Sequence, residues 1–223
     1  MADMILANPK PKWARLKRLK KYRLHMLGIT MTSLLLAGFL LWPSSPLDLG
    51  VGNRLVTSGV LASWRQGDVV VLVRHEERCD RSENPCFGPA HGLTILGTQR
   101  ASEMGKAFDS LGMEATDVLS SSATRTAQTA LFMFGKTELS AAPLALCGDA
   151  IAKEILSHKH PGRNLMLITH SGCISDLQTS LGFPHAAAAE YGSALFAKAL
   201  PNGSLEVIGT LKSQEWAAVL KQL

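Results

Sequence analysis

The sequence predicts an α/β three-layer sandwich with a mostly parallel central sheet, preceded by one N-terminal transmembrane helix. Three observations predict it. Two continuous apolar runs, Val69–Arg74 (VVVLVR) and Asn164–Thr169 (NLMLIT), suit strands buried on both faces. Segments with helical spacing alternate with the strands, the pattern of a parallel sheet joined by crossovers. Leu24–Trp42 is a 19-residue apolar stretch whose sole ionisable group is His25, and it follows a dense basic tail.

The N-terminal part is read first. Residues 1–23 hold eight of the chain's 23 Lys/Arg and one of its 18 Asp/Glu, which leaves 15 basic and 17 acidic side chains for the rest. The net charge of +5 is therefore a property of the tail. That argues against a nucleic-acid partner, because the basic patch should then lie on the folded body. As a helix, 24–42 spans roughly 28 Å, close to the ~30 Å of a bilayer core. Trp42 suits the interface, and Pro43 and Pro46 end the helix beyond it. Cations preceding a span stay on the cytoplasmic side, so the body is expected outside the cytoplasm. The expectation is a basic tail (1–23), a signal anchor (24–42) in the inner membrane, a linker (43–66) and one domain (67–223). The alternative is a signal peptide cleaved to give a soluble periplasmic domain, although no small-x-small site follows the apolar run.

The body is then read in order. Val69–Arg74 is a buried strand. Gly97–Leu111 has apolar or small residues at helical spacing and ends at Gly112. Asp117–Ser120 is a short strand and Ser122–Phe134 a helix closed by Gly135. Asp149–His158 is a further helix and Asn164–Thr169 the second strongly apolar strand. Leu195–Leu200 and Leu205–Leu211 flank Pro-Asn-Gly and read as a hairpin. Ser213–Leu223 is a final helix. Ala186–Ala189 reads as helix or loop filler. An apolar fraction of 46% with 18% charged residues supports a packed core and excludes a disordered chain.

The chemistry collects where the strands end. The first apolar strand ends in Arg74-His75, the second in Thr169-His170, and the helix after the short strand carries Arg125 in its first turn. Ligands of such sheets sit beyond the carboxyl ends of the strands. Two guanidiniums beside a helix N-terminus make an oxyanion site, and a histidine inside it can act as nucleophile. Ser121, Thr126 and Gln128 flank Arg125 and favour phosphate contact there.

Four segments in order resemble the histidine phosphatase (phosphoglycerate mutase-like) superfamily. Arg74-His75-Glu76-Glu77 is similar to its Arg-His-Gly-Glu signature. Leu93-Thr94 with Gly97 and Gln99 is similar to its Leu-Thr-x-x-Gly-x-x-Gln segment, with the glutamine one position early. Ser120-Ser121 followed by Arg125-Thr126 and Gln128-Thr129-Ala130 resembles its second arginine motif. Thr169-His170-Ser171-Gly172 resembles its second histidine motif. The resemblance covers roughly residues 68–211. Within it, His75-Glu76-Glu77-Arg78-Cys79-Asp80-Arg81-Ser82, Asn84, Cys86, Leu146-Cys147-Gly148 and Cys173 resemble exported lipopolysaccharide core heptose(II)-phosphate phosphatases.

The resemblance implies a phosphomonoester hydrolase that works through a phosphohistidine on His75. Arg74, Arg125 and His170 would bind the phosphate. The partner would be a phosphorylated glycolipid, with another small exported phosphomonoester or a phosphohistidine protein as alternative, and a silent, anchored phosphate-binding module as the rival outside enzymes. No metal or organic cofactor is implied. The family's acidic Glu has no counterpart in 143–149, so Asp149 is the candidate proton donor, with an N-cap of the following helix as its other reading. Glu77, Arg78 and Arg81 are expected to support the pocket, with His91 in the same loop. Cys79, Cys86, Cys147 and Cys173 read as disulfides on an exported domain, in any of three pairings. Cys79 with Cys86 would rigidify the segment after His75, and Cys147 with Cys173 would tie the Asp149 loop to the segment after His170. Zinc would need paired C-x₂₋₄-C spacing, and a cysteine phosphatase would need C-x₅-R. Neither occurs.

Overall fold

The computed structural model describes residues 12–40, 45–135, 147, 148 and 150–221. The chain divides into two units, residues 1–43 and 44–223.

In the first unit, α1 (Lys12–Leu40) is one continuous helix. Leu24, Leu35 and Phe39 are each about 70% exposed at 72%, 68% and 70%. Its polar hydroxyls turn inward: Thr30 and Thr32 donate to the carbonyls of Met26 and Gly28 at 2.9 Å. Among the described residues no helix is long and apolar enough to cross a membrane. The span expected over 24–42 continues past this helix, and residues 41–44 lie outside the described residues.

In the second unit, α2 (Arg54–Thr57) and α3 (Val60–Gln66) precede β1 (Val69–Arg74). Then follow α4 (Ile95–Leu111), β2 (Thr116–Ser120), α5 (Thr124–Phe134), α6 (Ile151–Ser157) and β3 (Asn164–Thr169). The chain closes with α7 (Ser171–Ser180), β4 (Ala194–Ala199), β5 (Leu205–Leu211) and α8 (Trp216–Leu220). Thr94 caps α4 by accepting the Gly97 amide at 2.9 Å, as an N-cap threonine does.

The sheet order is β2-β3-β1-β4-β5. Strands β2, β3 and β1 run parallel, whereas β4 is antiparallel to both β1 and β5. The sheet is thus mixed, which corrects the expectation of a mostly parallel one. The reason lies in residues 181–193. After α7 the chain does not enter a strand at once. It climbs back as coil to the carboxyl end of β1, so that Ala194 pairs Val73 and β4 runs downward.

The layers follow from alternation along β1 and β3. Val69, Val71, Val73, Met166 and Ile168 face the layer that contains Trp64, Phe108 and Trp216. Val70, Leu72, Leu165 and Leu167 face Ile151, Ile155, Ile174 and Leu177. Both faces being covered is why these strands read as unbroken apolar runs.

The stretch expected to be a linker (43–66) folds with the domain where it is described. Leu49, Leu55, Val60 and Trp64 are buried, and Leu49 and Thr210 share a backbone hydrogen bond of 2.8 Å along the edge of β5. Short helices with one buried residue per turn carry too little periodicity to be read from sequence.

Candidate active site

The parallel register sets the site. Arg74 of β1 pairs Thr169 of β3, so His75 and His170 are the next residue on each strand. Ser120 of β2 pairs Ile168, which sets Ser121 level with Thr169 and Arg74, one residue before the histidines. The His75 amide donates to Thr169 O at 2.9 Å and the Ser121 amide to Ile168 O at 3.1 Å, extending the ladder past the strands. Side chains from three strand ends therefore stand side by side at one sheet edge, with the first turn of α5 behind them.

Arg125, in that first turn, bridges the two histidines. Its Nε donates to His75 Nε2 at 3.2 Å, and its Nη2 lies 3.3 Å from His170 Nδ1. The imidazole centroids are 5.4 Å apart, edge to face. Each ring's remaining nitrogen has a different partner. His75 Nδ1 lies 2.8 Å from the carbonyl of Glu76, which can only accept, so Nδ1 carries the proton and Nε2 is bare. His170 Nε2 lies 2.9 Å from Ser121 Oγ, which in turn meets Thr126 Oγ1 at 3.0 Å. With Nδ1 accepting from Arg125, His170 donates from Nε2 into this hydroxyl chain.

Electrostatics keep both rings neutral. Burial pushes the His75 pKa down to about 3, with Arg125, His170 and Arg74 adding to the effect against the hydrogen bond to Glu76. His170 is lowered to about 4, first by burial and then by Arg125, Arg78 and Arg74. Burial also lowers Arg74 and Arg125 from their usual value. Guanidinium stays protonated regardless, so the site has permanent positive charge around two uncharged imidazoles.

A wall that sequence reasoning missed comes from the coil before β4. Arg74 Nη1 donates to Ala189 O at 2.5 Å, and its guanidinium lies 4.0 Å from the centre of the Tyr191 ring. That ring is also 5.7 Å from the His75 imidazole. The Ala186–Ala189 run is loop and not helix, and its last carbonyl holds Arg74. Nothing in its composition announces this.

Glu76 was also missed as a site residue, although it stands at the glycine of the Arg-His-Gly-Glu signature. It is fully buried, its amide accepted by Thr129 Oγ1 at 3.0 Å and its Oε1 taking the Ser213 hydroxyl at 3.1 Å. Burial raises its pKa to about 7, against the hydrogen bond from Ser213 and the charge of Arg100. The carboxyl packs against the buried turn at Gly192, where φ is +65° and a Cβ would collide with Oε1.

The other expected residues occupy the loop after His75. Glu77 Oε2 accepts from Thr94 Oγ1 at 2.8 Å and Asn84 Nδ2 at 2.9 Å, which pins the loop to the start of α4. Arg78 forms a bidentate pair with Asp80 at 2.8 and 2.5 Å. Arg81 lies in a 3₁₀ turn (Cys79–Arg81) and is exposed, as is His91. Gln128, which flanks Arg125 on α5, accepts the Leu93 amide at 2.7 Å and clamps the same loop.

The cysteines pair as Cys79–Cys86 and Cys147–Cys173, with Cα separations of 5.2 and 4.5 Å. The first closes the loop after His75. The second fixes residue 147 to the first turn of α7, beside His170. Asp149 lies outside the described residues, and Glu154, the next acid, is 3.3 Å from His158 on α6. Among the described residues no group of His, Cys, Asp and Glu is placed to hold a metal ion.

This mixed sheet, with paired histidines beyond β1 and β3, is the phosphoglycerate mutase-like fold. It is shared with a phosphoserine phosphatase from Entamoeba histolytica (14% identity, 66% of this chain and 98% of that one, TM-score 0.51). It is shared equally with a phosphoglycerate mutase from Bacillus anthracis str. Sterne (16% identity, 70% and 99%, TM-score 0.50). In sequence the chain is similar to lipopolysaccharide core heptose(II)-phosphate phosphatases. It is 41% identical over 137 residues to that of Escherichia coli O157:H7, covering 60% of this chain and 66% of the relative. It is 42% identical over 114 residues to that of Escherichia coli O139:H28 (strain E24377A / ETEC), covering 50% and 56%. The chain thus matches just under two thirds of the length of one relative and little over half of the other. No family model matches it.

Proposed function

We propose that this chain is a phosphomonoester hydrolase acting through a phosphohistidine on His75. The observation that carries the reading is the bare His75 Nε2 facing Arg125, with its other nitrogen bonded to a backbone carbonyl. In the first step the Nε2 lone pair attacks phosphorus and the bond from phosphorus to the substrate's bridging oxygen breaks. The leaving oxygen takes a proton and departs as an alcohol. The phosphorylated ring is a cation that retains its Nδ1 proton, and the Glu76 carbonyl stabilises that charge. In the second step water attacks phosphorus, the N–P bond breaks and its electron pair returns to Nε2. Arg74 and Arg125 neutralise the phosphoryl oxygens throughout, which is the main demand of phosphoryl transfer.

His170 and Asp149 complete the assignment. A phosphate drawing Arg125 toward itself releases His170 Nδ1, and its negative charge offsets the arginine charges that lower the His170 pKa. His170 then gains a proton and donates to the same oxygens. Asp149 is assigned as proton donor to the leaving group, supported by the disulfide that anchors residue 147 beside His170.

The substrate assigned is a heptose phosphate of the lipopolysaccharide core, supported by the names of the relatives. Glu77, Arg78 and Arg81 shape its recognition. The chain is placed in the inner membrane through residues 24–42, with the domain in the periplasm. Support comes from the eight cations before that stretch, its exposed apolar side chains and the two disulfides.

The test uses the full chain in detergent with p-nitrophenyl phosphate. The parent protein turns over and yields an acid-labile phosphoprotein under rapid quench, and His75→Ala does neither. Equal background rates in both would sink the reading. For the substrate, mass spectrometry of the lipopolysaccharide core from a deletion strain should show one added phosphate on heptose. For the topology, a reporter active only outside the cytoplasm, fused after residue 46, should be active.

A further inference from the structure

Tyr191 stands at the site without a part in the steps above. The coil that carries it is fixed on both sides. The Arg74 amide donates to Ser193 O at 2.9 Å and the Gly192 amide to Arg74 O at 3.2 Å, so the β1–β4 ladder runs on past the strand ends. The Ser193 amide also donates to Glu190 O at 3.1 Å, closing a turn around Tyr191. Beneath that turn the buried Glu76 carboxyl packs against Gly192. The backbone therefore fixes where the Tyr191 side chain starts.

Its ring and its hydroxyl have different surroundings. The Arg74 guanidinium lies over the ring face, 4.0 Å from the centroid, and the His75 imidazole is 5.7 Å away, tilted by 46°. The hydroxyl has no hydrogen-bond partner among the described residues, and Tyr191 is half-buried with this oxygen open to solvent. Three guanidiniums, those of Arg74, Arg78 and Arg125, lie within its electrostatic reach. A free, reachable O–H among cations suits an anion. The cations draw the anion in, and a hydrogen bond to an ionised oxygen is stronger than one between neutral groups. In-line displacement decides which oxygen it meets. The leaving oxygen stands opposite the attacking His75 Nε2. Tyr191 stands beside the nucleophile and against the arginine that neutralises the phosphoryl group. A phosphate at the edge of that guanidinium lies next to the rim of the stacked ring, and the oxygens it turns there are equatorial.

We propose that Tyr191 is a further catalytic residue, its Oη donating a hydrogen bond to an equatorial oxygen of the phosphoryl group. The phenol keeps its proton throughout and is no acid for the leaving alcohol. It adds an uncharged donor to the cations Arg74 and Arg125. Its part in turnover rests on the phosphohistidine reading, whereas its contact with phosphate does not.

The test compares the full chain in detergent with Tyr191→Phe, which keeps the ring against Arg74 and removes only the hydroxyl, a change too small to threaten folding. Phosphorus NMR titration with inorganic phosphate should show binding weakened by about tenfold in the variant. Its kcat/KM should fall by roughly ten- to a hundredfold, as for the loss of one hydrogen bond to a charged group. The fall should be the same for p-nitrophenyl phosphate, phenyl phosphate and an alkyl phosphate, because the equatorial oxygens are present whatever group leaves. A merely structural tyrosine would leave both quantities unchanged, and that result would overturn the proposal. A loss that grows with the pKa of the leaving alcohol would also overturn it, since that marks a proton donor to the bridging oxygen. A parent that binds phosphate but turns over no ester defeats the phosphatase reading instead. The phosphate titration of parent against Tyr191→Phe then still decides the contact.

Discussion

His75 and His170 are the same residue type, at the ends of adjacent parallel strands, in contact with the same arginine, yet they are prepared for different work. His75 is 3% exposed and half-buried His170 is the more open of the two. Arg125 meets Nε2 of the first and Nδ1 of the second. The remaining partner decides the outcome. A backbone carbonyl keeps the His75 proton on Nδ1 and leaves Nε2 as a fixed lone pair. A hydroxyl chain through Ser121 and Thr126 makes His170 a donor. The lesson is that the atom bonded behind each ring sets its role more than the shared arginine does.

That comparison can be broken at its stronger side first. His75→Ala should lower kcat by about 10⁴-fold or more in the chromogenic assay, with loss of the phosphoprotein. Arg125→Leu attacks both rings at once. It should cost roughly 10²–10³ in kcat/KM. Both imidazole pKa values should also rise toward the ordinary range, since Arg125 helps to lower each, and imidazole NMR titration reads this directly. Values that stay in place would show that burial alone suppresses protonation. Ser121→Ala touches only His170, by removing the acceptor of Nε2–H. It should cost about tenfold in kcat and leave the His75 phosphoprotein able to form.

The smallest effect concerns stability and lies beneath His75. Glu76 is raised to about 7 in the folded protein, from an ordinary carboxyl value. Its contribution is therefore fully present below the unfolded pKa and is lost as pH rises through about 7. His75 and His170, lowered to about 3 and 4, act in the opposite sense: their contribution is present above the ordinary histidine value and is lost as pH falls toward those numbers. Glu76→Gln is neutral at every pH. Its thermal midpoint relative to the parent should rise from pH 5 to pH 8, while histidine-linked loss of stability below pH 6 persists. A pH-independent difference would place the titration elsewhere.

Much of this site was legible in the sequence because it sits on strands. Unbroken apolar runs identified β1 and β3, and strand ends identified Arg74, His75 and His170. Arg125 was legible through the helix start after β2. The β4–β5 hairpin was legible through Pro-Asn-Gly, but the antiparallel pairing of β4 with β1 was not, because the direction of β4 is set by the irregular residues 181–193, where no periodicity marks the turn back toward the sheet edge. The same coil hid Tyr191 and the Ala189 carbonyl. Gln128 accepts the Leu93 amide, a contact with a loop 35 positions earlier that no local pattern marks.

The sequence by itself determined the α/β layering, the four residues brought together at the sheet edge and the charge asymmetry of the N-terminal stretch. These follow from local rules: burial on both strand faces, helical periodicity, and cations ahead of an apolar run. Only the tertiary structure decided which nitrogen of each histidine is bare, which cysteines pair, what covers Arg74 and how far Glu76 is buried. Except for the two disulfides and the His75–Glu76 contact, these are outcomes of groups roughly 50 to 140 positions apart meeting, such as His75 with Arg125 and Glu76 with Ser213. No local pattern encodes such a meeting, because the free energy that selects it comes from packing the whole sheet edge at once.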